Sequence, residues 1–347
     1  MTKSIRAIRN VCGVLLLLWG AAAHAQSRNS FYAGKTISIV VPFAAGGIYD
    51  TGARLLSRHM VRHIAGSPSI IVQNQPSGGG GIDLANRLGT ITGDGTLIAT
   101  LPRGLPQFAM TGDPSIRFDP LKLTWLGSLS AYADDAYLLA LNSTHPVKTA
   151  EQLRTGMPSV RIGAISAGST NLTLALVARE TLGFKYDIVR GYPGASAINL
   201  AQQRNEVDGQ FGDVSFFATN MRDLWEAGKL VALVQFGRRT RLPTLGDTPM
   251  ARELTDNPDD LALLEFAEMP FFMALPIAAP AAIPAERAKI LRAAFIAAAR
   301  DPALLQDARK MNFAVDPISG EEVLAVVQRA SRTPKAVIER YKSIIAQ

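Results

Sequence analysis

Thr36-Ile37-Ser38-Ile39-Val40-Val41-Pro42-Phe43-Ala44-Ala45-Gly46-Gly47-Ile48-Tyr49-Asp50 begins as a β-branched run, passes through a loop of small residues and enters a helical pattern that continues to about His63. Strand, glycine-bearing turn and helix in that order form the first half of a strand-helix-strand unit. Ile70-Ile71-Val72, a helix from about Ile82 and Thr96-Leu97-Ile98-Ala99 continue it, which predicts parallel strands with crossover helices. A second series begins at Val160–Ala164 with a helix over Asn171–Leu182. It continues through Tyr186–Val189, a helix over Ala195–Arg204, Gly209–Phe211, a helix over Ala218–Ala227 and Leu230–Val234. The expected fold class is α/β, with two lobes of parallel-rich sheet.

Two segments of similar shape sit where the lobes would join. Trp125-Leu126-Gly127 leads to Tyr137–Leu141, and Glu265-Phe266-Ala267 leads to Phe271–Leu275; proline-bearing loops follow at Pro146 and at Pro280 and Pro284. Read as two crossover segments, they place 26–132 plus 269–347 in lobe 1 and 133–268 in lobe 2. The competing reading is two consecutive domains, each completed in one pass. Thr255–Asp260 reads as a polar surface loop.

At the amino terminus Lys3, Arg6 and Arg9 precede the apolar run Val11–Trp19 and then Ala23-His24-Ala25, the order of a charged region, hydrophobic region and small-residue cleavage site. Residues 1–25 are therefore expected to be a signal peptide. The apolar run is shorter than the roughly 20 residues that a spanning helix needs. Cys12, the single cysteine, lies inside this leader, so the mature chain would have no disulfide, thiol nucleophile or cysteine metal site. About 320 residues remain, beyond the size at which one core stops growing. Loss of three cations lowers the formal charge from +7 to +4. That mild excess, without a basic block or aromatic-basic interleaving, speaks against nucleic acid and agrees with an anionic solute.

In an open parallel sheet, ligands bind beyond the carboxyl ends of the strands. The first turn of the following helix directs free N–H groups and the positive end of its dipole into that space. Ala44, Ala45, Gly46, Gly47, Ile48, Tyr49 and Asp50 are therefore candidate ligand-binding residues, Gly46 and Gly47 by allowing close backbone approach. Asp50 either bonds a ligand hydroxyl or caps its own helix. Three more loops occupy equivalent junctions: Ser77 and Gly78 after the second strand; Gly168, Ser169, Thr170 and Asn171 after the first strand of the middle lobe; and Gly191, Tyr192, Pro193 and Gly194 after its second. Each glycine cluster alone is as well explained by a turn. Arg103, just past the third strand, either pairs with a carboxylate or is simply solvated. Asp213, just past Phe211, either meets a ligand or caps the next turn. Tyr49 and Tyr192 are amphipathic enough to wall a cleft or to pack locally.

Nothing here matches a nucleotide-binding loop, G-x-x-x-x-G-K-[ST] or a G-x-G-x-x-G in the first turn. Ser166 lies in Gly163-Ala164-Ile165-Ser166-Ala167-Gly168, one position away from a G-x-S-x-G nucleophile elbow. His59 and His63 are four apart on a helical pattern, but Met60-Val61-Arg62 lacks the glutamate of H-E-x-x-H, so two histidines on a solvated face are expected rather than a metal site. No cofactor is expected and no carboxylate pair is singled out by spacing.

Ile39–Leu56, with Pro42–Gly47 and Asp50-Thr51-Gly52-Ala53-Arg54, resembles the amino-terminal signature of the Bug receptors, the periplasmic binding proteins of tripartite tricarboxylate transporters. The resemblance continues through Val72–Pro76, Gly93–Leu97, Pro146–Thr149, Glu206-Val207-Asp208, Ala227–Leu230, Arg241-Leu242-Pro243 and Ala278-Ala279-Pro280. It implies a type II periplasmic-binding-protein fold that closes on its ligand, with no enzymatic activity. It also implies one carboxylate held by backbone amides and ordered water at Ala44–Asp50, and polar contacts from Ser169, Thr170, Asn171 and Gly191–Gly194. The expected protein is a monomer in the periplasm that delivers its ligand to inner-membrane transporter subunits; the alternative is a ligand-sensing partner of a membrane signalling system such as a sensor kinase, and a periplasmic hydrolase or isomerase ranks below both. Ile48-Tyr49 stands where a glycine and a small polar residue are common in that family, Gly191-Tyr192-Pro193-Gly194 replaces a Tyr-Lys-Gly, and Asn171-Leu172 lacks a histidine. The expected ligand is therefore a mono- or dicarboxylate with an aliphatic or aromatic body rather than a tricarboxylate.

Overall fold

The computed structural model describes residues 31–76, 81–165 and 169–347. The expected leader lies outside them. The chain runs β1 (Thr36–Val41), α1 (Ile48–Met60), β2 (Ser69–Asn74), α2 (Ile82–Thr90), β3 (Leu97–Thr100), α3 (Leu105–Met110) and β4 (Thr124–Ser128). The middle stretch holds β5 (Tyr137–Asn142), α4 (Ala150–Thr155), β6 (Arg161–Gly163), α5 (Thr170–Leu182), β7 (Asp187–Val189) and α6 (Ala195–Gln203). It continues with β8 (Gly209–Asp213), α7 (Val214–Asn220), α8 (Arg222–Glu226), β9 (Leu230–Phe236) and α9 (Pro258–Glu268). Last come β10 (Pro276–Ala279), α10 (Ala285–Ala299), α11 (Pro302–Lys310), β11 (Ile318–Ser319), α12 (Gly320–Ser331) and α13 (Lys335–Ile345).

Two sheets result, ordered β11-β4-β10-β3-β1-β2 and β7-β6-β8-β5-β9. β1 pairs in parallel with β2 and β3, and β6 with β7 and β8; every other pairing between these strands is antiparallel. The continuous apolar run of β1 is explained by cover on both faces. Ile37, Ile39 and Val41 enter one core cluster and Val40 another. Over the first of these faces α1 lays Ala53, Leu56 and Met60, and it offers Leu55 to Leu304 and Ala308 of α11. In the second lobe β5 splits the same way, Leu139 and Leu141 to one cluster, Leu138 and Ala140 to the other.

Four details differ from the sequence reading. Glu265–Ala267 do not begin a strand-like crossing: they end α9, a 3₁₀ turn covers Met269–Met273, and β10 starts only at Pro276. The cause lies upstream, where Asn257 caps the amide groups of Asp259 and Asp260 with Pro258 at the first helical position, so the expected loop is helical from Pro258 onward. The helix expected over 218–227 is two short helices broken at Met221, whose φ of −131° and ψ of 34° leave the helical region. Third, both sheets are mixed: β10 runs antiparallel to β3 and β4, and β4 to β11, in the first, and β5 antiparallel to β8 and β9 in the second. Finally, α13 does not stay with the lobe to which 269–347 was assigned. It packs on α5 and α9, and Val337, Tyr341 and Ile344 enter the core that surrounds β5.

Between β4 and β5 the chain passes from one lobe to the other through residues 129–136, which two charged side chains hold, one through amides and one through carbonyls. Asp316 Oδ2 accepts from the amides of Ala131 (3.0 Å) and Ala133 (2.5 Å). The buried Arg238 donates from Nη1 to the carbonyls of Tyr132 (2.6 Å), Ala133 (2.8 Å) and Asp135 (2.5 Å). Tyr132 sits at a φ of 58°, a left-handed conformation that a tyrosine adopts only when its surroundings enforce it.

Candidate ligand-binding site

A cavity of about 970 Å³ lies between the lobes, at the upper end of the range for ligand pockets. The first turns of α1, α2, α3, α5 and α7 all reach its wall, through Ile48 and Tyr49, Ile82, Leu105, Thr170 and Ser215. None of the five N-cap side chains caps its own helix, but at α7 Asp135 Oδ1 accepts from the Ser215 amide (3.3 Å) and the Ala136 carbonyl from the Val214 amide (2.9 Å), while at α3 the Leu105 amide donates to the Pro102 carbonyl (3.0 Å) and Pro106 has no N–H. Away from the cavity, Thr149, Asn257, Asp301 and Ser319 cap α4, α9, α11 and α12, while α6, α8, α10 and α13 also start without a side-chain cap. The uncapped first turns of α1, α2 and α5 keep their donors for something else, and their positive dipole ends favour an anion.

Arg103 is one of two cations on this wall, the other being Lys342. The Arg103 backbone N–H donates to the Tyr49 hydroxyl (3.0 Å) and its Nη1 to the Tyr132 hydroxyl (2.8 Å). The guanidinium lies 4.8 Å from the ring centroid of Phe271, stacking that holds the side chain in place. Tyr49 in turn packs on Phe43, with ring centroids 5.2 Å apart. Across the cleft, Arg103 Nη1 stands 4.0 Å from Asp213 Oδ1, too far for a hydrogen bond. Burial pushes the Asp213 carboxyl up, and the Arg103 charge opposes that shift. Asp135 is also raised by burial, but it accepts from Ser215 Oγ (2.6 Å) and from the Ala136 amide (2.8 Å).

Of the residues proposed from sequence, Ile48, Tyr49, Arg103, Thr170 and Asp213 line the cavity. Ser77, Gly78 and Gly168 lie outside the described residues. Ala44, Ala45, Gly46 and Gly47 form the exposed loop beside the cavity and are not part of its wall. Asp50 is buried and turned away from it: Oδ2 accepts from the Gly46 amide (2.8 Å) and Arg54 Nε (3.0 Å), and Oδ1 from Asn74 Nδ2 (2.9 Å). It lies off the cavity wall and is not the N-cap, since Gly47 occupies that position. Its role is to bind the loop to α1 and β2, and in doing so it occupies the Gly46 donor that the sequence reading offered to a ligand. Gly46 is needed for its φ of 93°, and an added Cβ on Gly46 or Gly47 would meet nothing within 4 Å. Asp50→Ala should lower stability by about 2–3 kcal/mol in urea unfolding, because three donors lose a buried acceptor. A change below about 0.5 kcal/mol would show that the loop holds itself.

Asn171 is likewise turned inward, accepting from Ser169 Oγ (2.9 Å) and the Ile165 amide (3.4 Å). Tyr192 packs against Ile198, Ala201 and Val207, and Tyr192, Pro193 and Gly194 stay off the cavity wall. His59 and His63 do not form a solvated face: they reach separate carboxylates, Asp307 (3.1 Å) and Asp301 (2.9 Å) at α11, with His59 buried. The sequence reading missed Phe43, Tyr132, Asp135 and Ser215, and also Tyr341 and Lys342 of α13. Phe43 and Ser215 stand next to the candidates Ala44 and Asp213 at the same strand-to-helix junctions, a local signal, whereas Tyr132, Asp135, Tyr341 and Lys342 reach the site through long-range packing.

No family model matches this sequence, and no curated protein matches it. Solved structures do. A TctC solute-binding protein from Polaromonas without ligand superposes with a TM-score of 0.68 at 20% identity, covering 91% of this chain and 99% of that one. MatC from Rhodopseudomonas palustris with bound malate gives 0.58 at 21% identity, covering 90% and 99%. The R. palustris protein Rpa4515 with adipate gives 0.60 at 19% identity, covering 90% and 97%. The chain thus has the two-lobed α/β fold of the TctC- and Bug-type periplasmic solute-binding proteins.

Proposed function

We propose that this chain is a non-enzymatic periplasmic receptor that captures a small mono- or dicarboxylate in the interlobe cavity and delivers it to a tripartite tricarboxylate-type transporter. The observation that carries the reading is the convergence of the Arg103 guanidinium and the uncapped first turns of α1, α2 and α5 on one interlobe space. Malate and adipate in the structurally similar proteins support a carboxylate, and among the described residues no helix is long and apolar enough to cross a membrane. The cavity is larger than a small acid fills, so the lobes must move together to exclude water from it. Closure changes the surface shown to a membrane partner, which signals occupancy without chemistry.

Thermal-shift measurements on the chain from Gln26 onward test this. A carboxylate at about 100 times its Kd adds about 2.7 kcal/mol of stability, a rise of several degrees. Aliphatic or aromatic mono- and dicarboxylates should produce it; stabilisation by citrate-like polyanions alone would contradict the ligand class.

A further inference from the structure

The cavity holds an unmatched acceptor as well as a cation. Asp213 Oδ1 is buried and has no hydrogen-bond partner. Such an atom costs free energy unless something donates to it. Of the three carboxylates on the cavity wall, Asp135 is satisfied by Ser215 and Ala136, and Asp113 by Ser115 (2.5 Å to Oγ and 2.9 Å to the amide). Asp213 alone is left with a buried orphan oxygen. On the other side, Tyr49 and Tyr132 line the cavity and use their oxygens to accept from Arg103, so each hydroxyl proton is left for another acceptor.

We infer that Arg103 and Asp213 together read a carboxylate that carries a cationic nitrogen on the neighbouring carbon, the charge pattern of a 2-amino acid. The inference rests on the carboxylate-receptor reading and narrows it. The ligand carboxylate takes the guanidinium and tyrosine hydroxyl donors, and the ammonium donates to Asp213 Oδ1. The 4.0 Å between Nη1 and Oδ1 is short enough for two groups on adjacent ligand atoms to serve both residues. Arg103 follows β3 and Asp213 ends β8, so a bound zwitterion would tie one lobe to the other. Three carboxylates and two cations, Arg103 and Lys342, face the cavity, a balance that opposes a polyanion. The rest of the wall, including Phe43, Leu105, Phe108 and Phe313, suits an apolar side chain. A deamino analogue would leave Asp213 unpaired in the closed cleft, which is the stronger form of rejection.

Isothermal titration calorimetry with L-leucine, L-phenylalanine and L-glutamate, each beside its 2-hydroxy and 2-deamino counterpart, tests this on the chain from Gln26 onward. At least one amino acid should bind about 10- to 100-fold tighter than its deamino counterpart, with the hydroxy acid between. Asp213→Asn should collapse that ratio toward one; Asp213→Ser serves the same purpose if the asparagine variant does not fold. Deamino or hydroxy acids that match or surpass the amino acid overturn the inference and leave the carboxylate receptor standing. A ratio preserved in the folded variant overturns Asp213 as the reader. Absence of binding across all three classes overturns both readings.

Discussion

Arg103→Met is expected to raise the Kd for a carboxylate ligand about 100-fold while the protein remains folded. A charge-assisted hydrogen bond contributes about 1.5–3 kcal/mol, and a planar guanidinium can present two such donors to one carboxylate. Methionine keeps an apolar stem against Phe271, so the lost packing is small. Two further losses follow. The Tyr132 hydroxyl loses the donor that positions it, and the Asp213 carboxyl loses the cation that holds its burial shift in check. Arg103→Lys should fall between the two, because a point charge without the fork or the stacking keeps the sign of the field and little of the geometry. Calorimetric affinities within about threefold of the parent for the methionine variant would remove Arg103 from the site.

Arg238→Met should be the more damaging change for the fold, at about 3–5 kcal/mol. One buried Nη1 satisfies three consecutive-region carbonyls of the crossover, those of Tyr132, Ala133 and Asp135, while Nε donates to the Thr240 carbonyl at 2.9 Å. Each buried acceptor left unpaired costs about 1–3 kcal/mol, and water from the adjacent cavity can recover only part of it. Desolvation lowers the Arg238 pKa, and Asp134, Asp135 and Asp316 counter that. Its removal therefore strips those acids of their shared counter-charge as well. Arg238→Lys restores the charge but cannot reach every carbonyl from one ammonium, so partial recovery is expected in urea unfolding. A loss under about 1 kcal/mol for the methionine variant would mean that Asp316 alone holds the crossover.

The strand-turn-helix order at Thr36–Asp50 was legible because it is local: β-branched period, glycines in the turn, then helical spacing. The same holds for β2, β3 and the β6 to β8 series, whose boundaries shift by only a few residues. Mixed pairing was not legible, since β4, β10 and β11 take their direction from partners as much as 190 residues away, as in the Ile318 to Ser128 pairing. The site divides along the same line. Tyr49, Arg103, Thr170 and Asp213 stand at strand or helix ends, where the sheet rule places ligands. Asp50 and Asn171 share those positions but turn inward, because Asn74 and Arg54 in one case and Ser169 and Ile165 in the other supply partners that no spacing rule reveals. Nor does the amphipathic pattern of α13 say which lobe its apolar face covers, so Tyr341 and Lys342 had no signal that pointed to the cavity.

Native mass spectrometry of the purified chain from Gln26 onward, loaded with the carboxylate and amino-acid panel at millimolar concentration, tests the central claim most directly. One small acid per chain is predicted, released unchanged on denaturation and absent from Arg103→Met. A chain that carries no acid, or an adduct equally populated in the Arg103 variant, would contradict capture of a carboxylate in this cleft.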